Sequence, residues 1–143
     1  MANKIKLVIW DADNTLWNGS VYYKDKESII IKPGTKAALK ELDKRGIFIT
    51  MCSKNNYEDV DLMLKKFEID KYFKESQIGW GSKSDAIKKM ADIFNLSFKE
   101  MIFVDDDPFQ RAEVASQISD ISITELTDPI DILNIDGIKS DNE

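Results

Sequence analysis

Short apolar runs alternate with amphipathic segments along most of this 143-residue chain, and that alternation restricts the possible folds to very few. β-prone runs occupy residues 5–10, 47–51, 77–80, 101–104 and 121–123. Between them apolar residues recur at helical spacing. Ala37, Ala38, Leu39 and Leu42 form one set, Tyr57, Val60, Met63, Leu64 and Phe67 a second, and Ile87, Met90, Ala91 and Phe94 a third. A strand that is apolar throughout is buried on both faces, and strands separated by helices pair in parallel. The expected class is therefore α/β: a three-layer α/β/α, Rossmann-like fold with a parallel sheet of about five strands.

Local signals place the boundaries. Pro33-Gly34-Thr35 opens a helix over 36–45, and Gly46 suits the position just past its end. Ser97-x-x-Glu100 has the form of a capping box, so a single helical turn is expected there. Pro108 suits the first turn of a helix over 108–117, with Asp107 as its N-cap. Asp128-Pro129 starts a last short helix. Two short β-prone runs, 21–23 and 29–31, flank a charged segment and predict a small hairpin or flap. The organisation expected is one domain over 1–135, followed by a polar, frayed tail over 136–143.

Composition removes several classes of function. Hydrophobic content of 43% and charged content of 32% suit a folded globular chain. A net charge of −6 argues against a nucleic-acid binder driven by a basic face. One cysteine, Cys52, excludes an intramolecular disulfide and a multi-cysteine zinc site. The absence of histidine removes Ser-His-Asp and Cys-His catalysis and the commonest metal ligand. Acid/base chemistry then falls to carboxylates, lysine, tyrosine or the thiol. Any metal would be held by oxygen, which favours Mg²⁺ or a similar hard ion. No apolar run approaches the length of a membrane span, and the start lacks the apolar core of a signal peptide. A cytoplasmic protein without membrane contact is expected.

The first apolar run ends in Asp11-Ala12-Asp13-Asn14-Thr15-Leu16-Trp17. In a strand, residues two apart point the same way, so Asp11 and Asp13 are expected side by side. Two adjacent carboxylates repel, and a proton or a cation relieves that cost. The pair is a metal site, an acid/base pair, both, or simply a turn closing a strand. Two other runs also end in polar clusters, Ser53-Lys54-Asn55 and Asp105-Asp106-Asp107. Carboxyl ends of parallel strands share one edge of the sheet, where ligands bind in such folds. The three clusters are therefore expected to meet in one site.

On these residues the chain resembles the haloacid dehalogenase (HAD) phosphohydrolase superfamily. Asp11 to Leu16 is similar to its Asp-x-Asp-x-Thr-Leu motif, Ser53 to its strand-ending Ser or Thr, Lys83 to its helix-opening lysine, and Asp105-Asp106 to its acidic pair. Asp-Asn-Thr-Leu-Trp, Cys-Ser-Lys-Asn-Asn, Trp-x-x-Lys-Ser and Val-Asp-Asp-x-Pro look more closely like subfamily IIIC, the FkbH-like branch, near the magnesium-dependent phosphatase-1 group. The resemblance covers about residues 5–123. No large insertion separates the motifs, which implies the capless (C0) form, with only the 18–32 flap and the 76–82 loop to shield the site.

What the resemblance implies is a Mg²⁺-dependent phosphatase acting through an aspartyl-phosphate. Asp11 would be the nucleophile and Asp13 the acid/base, a role that calls for a raised pKa. Mg²⁺ would be held by Asp11, the backbone carbonyl of Asp13 and Asp106, with Asp105 behind it or reaching it through water. Ser53 would hydrogen-bond the phosphoryl group and Lys83 would neutralise charge. Asn14, Lys54 and Asn55 flank the motifs and could reach substrate, together with Ser53 and Lys83; for Asn55 a turn role is the favoured reading. Trp17 and Trp80 could line the entrance, but packing is the favoured reading for each, and Cys52 reads as a buried thiol. FkbH-like domains also suggest an alternative, glyceryl or acyl transfer from a phosphorylated glycerate to an acyl carrier protein, in which Cys52 could carry a thioester. A non-catalytic binding domain on the same fold is a third reading. The expected partner is a phosphorylated substrate, possibly borne on a macromolecule, and the expected state is a monomer.

Overall fold

A computed structural model of the chain describes residues 4–21 and 25–139. In chain order the elements are β1 (Leu7–Trp10), β2 (Trp17–Asn18), β3 (Ile30–Ile31), α1 (Thr35–Lys44), β4 (Phe48–Lys54), α2 (Tyr57–Lys66), β5 (Gln77–Gly79), α3 (Lys83–Phe94), β6 (Met101–Val104), α4 (Pro108–Gln117) and β7 (Ser122–Thr124). Short 3₁₀ turns fill several connections, including Phe98–Glu100 behind the expected capping box and Pro129–Asn134 behind Asp128. The main sheet is parallel, with strand order β5-β4-β1-β6-β7. This is the expected α/β class.

Helices cover both faces of the sheet, and the period of 2 in β1 divides the core between them. Val8 and Trp10 pack with Ala38, Leu39 and Leu42 of α1 and Val60, Met63 and Leu64 of α2. Leu7 and Ile9 pack on the other face with Ile87 and Met90 of α3 and Val114 of α4. All four β1 residues are buried, which is why the run reads as apolar without alternation.

Helix ends follow their local chemistry. After α1, the Gly46 N–H donates to Asp43 and that of Ile47 to Leu42, a Schellman closure with Gly46 at φ +76°. Asp107 caps α4 by accepting from the Phe109 N–H at 2.9 Å. α2 carries Glu58 and Asp59 in its first turn and Lys65 and Lys66 in its last, matching the helix dipole.

Three expectations shift. β4 runs on to Lys54 because Cys52, Ser53 and Lys54 pair with Gln77, Ile78 and Gly79 of β5, so the polar cluster belongs to the strand. The small antiparallel unit pairs Trp17–Asn18 with Ile30–Ile31. Of its expected first arm, Val21 lies in a turn and 22–23 fall outside the described residues. Packing also reaches past residue 135. Ile138 is buried in the core, Gly137 accepts from the Ile5 N–H at 3.0 Å, and the Ile138 carbonyl accepts from Arg45 at 3.1 Å. No helix among the described residues is long and apolar enough to cross a membrane.

Gly34 shows how closely α1 meets the C-terminal segment. Its N–H donates to Asp128 Oδ2 at 3.0 Å, and an added Cβ would collide with Asp128 Oδ1 and lie 2.6 Å from Ile130 Cβ. Gly34→Ala is expected to lower stability by about 1–3 kcal/mol. The urea midpoint of the variant against the parent protein checks this.

Candidate active site

Strand parity builds the centre of the site. Asp11 continues the Leu7/Ile9 series of β1, and Asp105 continues the Met101/Phe103 series of β6. Ile9 lies opposite Phe103 in the register, so the two carboxylates emerge side by side on the face that α3 covers. Lys83 is the first residue of α3. Its Nζ reaches Asp11 Oδ1 at 2.8 Å and Asp105 Oδ2 at 2.7 Å, above the Phe103 ring. All three residues are buried.

A cation at a helix N-terminus opposes the dipole, so the start of α3 must be held by other means. The Ser82 hydroxyl accepts from the Asp85 N–H at 3.2 Å. Glu113 of α4 accepts from both the Ser84 N–H, at 3.1 Å, and the Ser84 hydroxyl, at 2.5 Å. Two helices thereby fix where Lys83 begins.

The electrostatics are unbalanced. Burial pushes the Asp11 carboxyl well above its ordinary value of 3.8; Lys83 opposes this, while Asp105 and Asp106 add to it. Burial also works against the charge on Lys83, but Asp11 and Asp105 outweigh it and raise its pKa above the usual lysine range. Ligand oxygens of Asp11, Asp105 and Asp106 lie within 4.8 Å of one another. Three carboxylates against one ammonium leave an excess of negative charge on an all-oxygen donor set, which fits a hard divalent cation. Both Asp105 oxygens are engaged, one by Lys83 and the other by the Asp107 N–H at 3.0 Å. Asp106 is only partly buried, and its Oδ1 meets the Thr15 hydroxyl at 3.3 Å. Thr15 Oγ1 is equally close to Asp11 Oδ2, at 3.3 Å. Its single proton serves one of them at a time.

Asp13 is set apart from that cluster. β1 ends at Trp10, and the Thr15 and Leu16 N–H groups fold back onto the Ala12 carbonyl, so strand parity does not carry Asp13 beside Asp11. Its Oδ1 accepts from Trp17 Nε1 at 2.9 Å and the Val21 N–H at 3.1 Å. Its Oδ2 accepts from the Ser20 hydroxyl at 3.2 Å and Asn55 Nδ2 at 2.9 Å.

The end of β4 supplies the opposite wall. Ser53 and Asn55 are buried, Lys54 is half-buried, and Ser53 Oγ accepts from Asn55 Nδ2 at 3.1 Å. Every residue expected at the site, Asp11, Asp13, Asn14, Ser53, Lys54, Lys83, Asp105 and Asp106, lines one cleft of about 200 Å³. Ser20, Asn55, Asp107 and Gln110 complete it. A neighbouring cleft of about 230 Å³ shares Ser53, Lys54 and Lys83 and extends along β5 and the start of α3. Asn14 has turn duties as well: at φ +59° its side chain accepts from the Gly19 N–H at 2.9 Å and its carbonyl from Lys32 at 2.8 Å.

Several roles escaped the sequence. Asn55 reads as a turn residue, yet it bridges two site groups. Trp17 is fully buried as expected, and its indole also reaches Asp13. Trp80 is 58% exposed rather than packed, because it follows β5 at the edge of the sheet. Ser20 and Glu113 carry no local signal, since their partners come from other elements. Replacing Lys83 tests the centre directly. Lys83→Met would strand two buried carboxylates and is expected to cost about 3–5 kcal/mol. Urea unfolding in metal-free buffer measures it.

Known proteins resemble this chain in sequence and in fold. A human protein, magnesium-dependent phosphatase 1, is 26% identical over 124 residues, covering 75% of this chain and 70% of its own. The Mg-complexed structure of the N-terminal part of a Bacteroides fragilis protein, which contains a phosphatase domain, superposes with a TM-score of 0.78 at 30% identity. It covers 92% of this chain, which spans only 39% of that one. A HAD-superfamily hydrolase of subfamily IA from Geobacter sulfurreducens shares the fold, with a TM-score of 0.71 at 16% identity over 91% of this chain and 95% of its own. The haloacid dehalogenase-like hydrolase family matches residues 20–117, beginning after Asp11 and Asp13. The end of β1 carries Asp11, and the turn that follows it carries Asp13, into the same cleft as Ser53, Lys83 and Asp105, so the unmatched start and the matched remainder form one site, and the chain belongs to the haloacid dehalogenase-like hydrolase family.

Proposed function

We propose that this chain is a Mg²⁺-dependent phosphatase that works through an aspartyl-phosphate on Asp11. The observation that carries the reading is the buried Asp11–Lys83–Asp105 bridge, with Asp106 beside it and Asp13 and Ser53 lining the same cleft. The named phosphatases among its relatives support it.

Asp11 and Asp106 would hold the ion directly, with the Asp13 carbonyl. Asp105 would stand behind, because Lys83 and the Asp107 N–H already use both its oxygens. When bound, the ion supplies positive charge that lowers the cost of ionising Asp11 and shields the phosphoryl oxygens. A carboxylate oxygen of Asp11 forms a bond to phosphorus while the bond to the leaving oxygen breaks, and Asp13 gives that oxygen a proton. Water then attacks the aspartyl-phosphate, Asp13 takes its proton, and the Asp11–phosphorus bond breaks to release phosphate. Lys83 offsets the negative charge on Asp11 throughout, and the Ser53 hydroxyl donates to a phosphoryl oxygen. Three of the groups on Asp13 can only donate. The Ser20 hydroxyl can turn and accept, so it is the partner that suits a protonated Asp13.

Cys52 has no part in this chemistry. It is 2% exposed, and burial pushes its thiol up to about 12, so it is not a thiolate at neutral pH. That weighs against a thioester on Cys52, and no other feature favours carrier-protein transfer over hydrolysis.

The parent protein is expected to hydrolyse p-nitrophenyl phosphate only with Mg²⁺, and Asp11→Asn to lose at least about 10³-fold in kcat. Equal rates for parent and variant would overturn the reading. A second outcome follows from burial. Because the folded Asp11 pKa is raised above 3.8, the metal-free fold binds the extra proton, and this contribution to stability falls as pH rises from 3.8 through the raised value. Mg²⁺ requires the ionised form, so its stabilisation should grow over the same window. Tm measured with and without Mg²⁺ across that range checks it; an increment independent of pH would contradict it.

A further inference from the structure

Asn55 does more than a turn residue at a strand end requires. A turn-forming asparagine bonds nearby backbone. Asn55 makes no such bond among the described residues; its one amide nitrogen serves Asp13 Oδ2 at 2.9 Å and Ser53 Oγ at 3.1 Å. The side chain is 2% exposed, and its own Oδ1 is buried without a protein partner. A buried acceptor left unpaired costs stability, so the side chain is not one that folding alone would favour.

Hydrogen-bond chemistry fixes its direction. The Asp13 carboxylate accepts, so the amide nitrogen must face it. Ser53 Oγ then accepts from the same nitrogen, which leaves the Ser53 hydroxyl hydrogen free to donate into the cleft. Without that bond the hydroxyl could rotate and spend its hydrogen elsewhere.

We propose that Asn55 is a positioning residue of the phosphoryl transfer: its amide ties Asp13 to Ser53 and turns the Ser53 hydroxyl hydrogen toward the phosphoryl group. This rests on the phosphatase reading above. Asn55 acts through Asp13 and Ser53, keeping the proton donor and the phosphoryl donor in one arrangement.

The test is Asn55→Leu, which keeps the size and removes the donors. Two substrates are compared with Mg²⁺ present: p-nitrophenyl phosphate, whose leaving group departs without a proton, and a simple alkyl phosphate, which needs one. The expected loss in kcat is about 10-fold on the aryl ester and about 100-fold on the alkyl ester, because only the second depends fully on a placed acid. KM should rise on both, and the loss should stay larger on the alkyl ester whichever way Tm moves, since the variant removes an unpaired acceptor and two hydrogen bonds together. Unchanged kinetics, or equal losses on both esters with a lower Tm, would overturn the proposal; the latter is the signature of a purely structural residue. If the parent hydrolyses neither ester, it is the phosphatase reading that falls. The Trp17 indole N–H resonance, assigned with Trp17→Phe, then decides for Asn55, because Trp17 sits on the other oxygen of Asp13. Its displacement in Asn55→Leu would support the tie to Asp13, and an unmoved signal would refute it.

Discussion

The buried bridge from Asp11 through Lys83 to Asp105 is the constraint to which the remaining structure answers. It joins the ends of two neighbouring strands to the first residue of a helix more than seventy residues from Asp11 in sequence. Burying charge is costly unless it is paired, and here one ammonium faces two carboxylates with a third nearby. The fold therefore holds the start of α3 from two sides, through the Ser82 cap and through Glu113 of α4. It also leaves a residual negative charge where a hard cation fits. Stability and chemistry are in tension at the same atoms.

The other half of the site is organised by hydrogen bonds. Asp13 leaves the line of β1 and is held by Trp17, Ser20, Val21 and Asn55, drawn from the segment leading into the flap and from the end of β4. Separation from the Lys83 bridge gives the two aspartates different surroundings and so suits them to different roles. Asp11 is buried against charge, whereas Asp13 sits among neutral donors at the rim. Asn55 connects that rim to Ser53.

Much of this was legible in the chain itself. Apolar runs at 5–10, broken only by Lys6, and at 101–104 announced strands buried on both faces, and helical periods between them announced the covering layers. Asp107, Gly46 and the Ser97–Glu100 box marked element ends because capping depends on neighbours only a few residues away. The convergence of three polar strand ends followed from parallel pairing alone. The illegible parts share one cause. The extension of β4 to Lys54 needs β5 beside it, the burial of Ile138 needs β1 and α1 beneath it, and Glu113 matters only because α4 lies against α3.

By itself, the sequence determined the fold class and brought three polar strand ends to one edge of the sheet, since period and composition are local properties; Lys83 joined them only through the family resemblance. Tertiary structure decided how those residues are divided. Register placed Asp11 beside Asp105 rather than beside Asp13, packing drove Lys83 between them, and burial kept the Cys52 thiol protonated. It also revealed Asn55 as a link between two site residues, because a hydrogen bond across forty-two positions of chain exists only once the chain has folded.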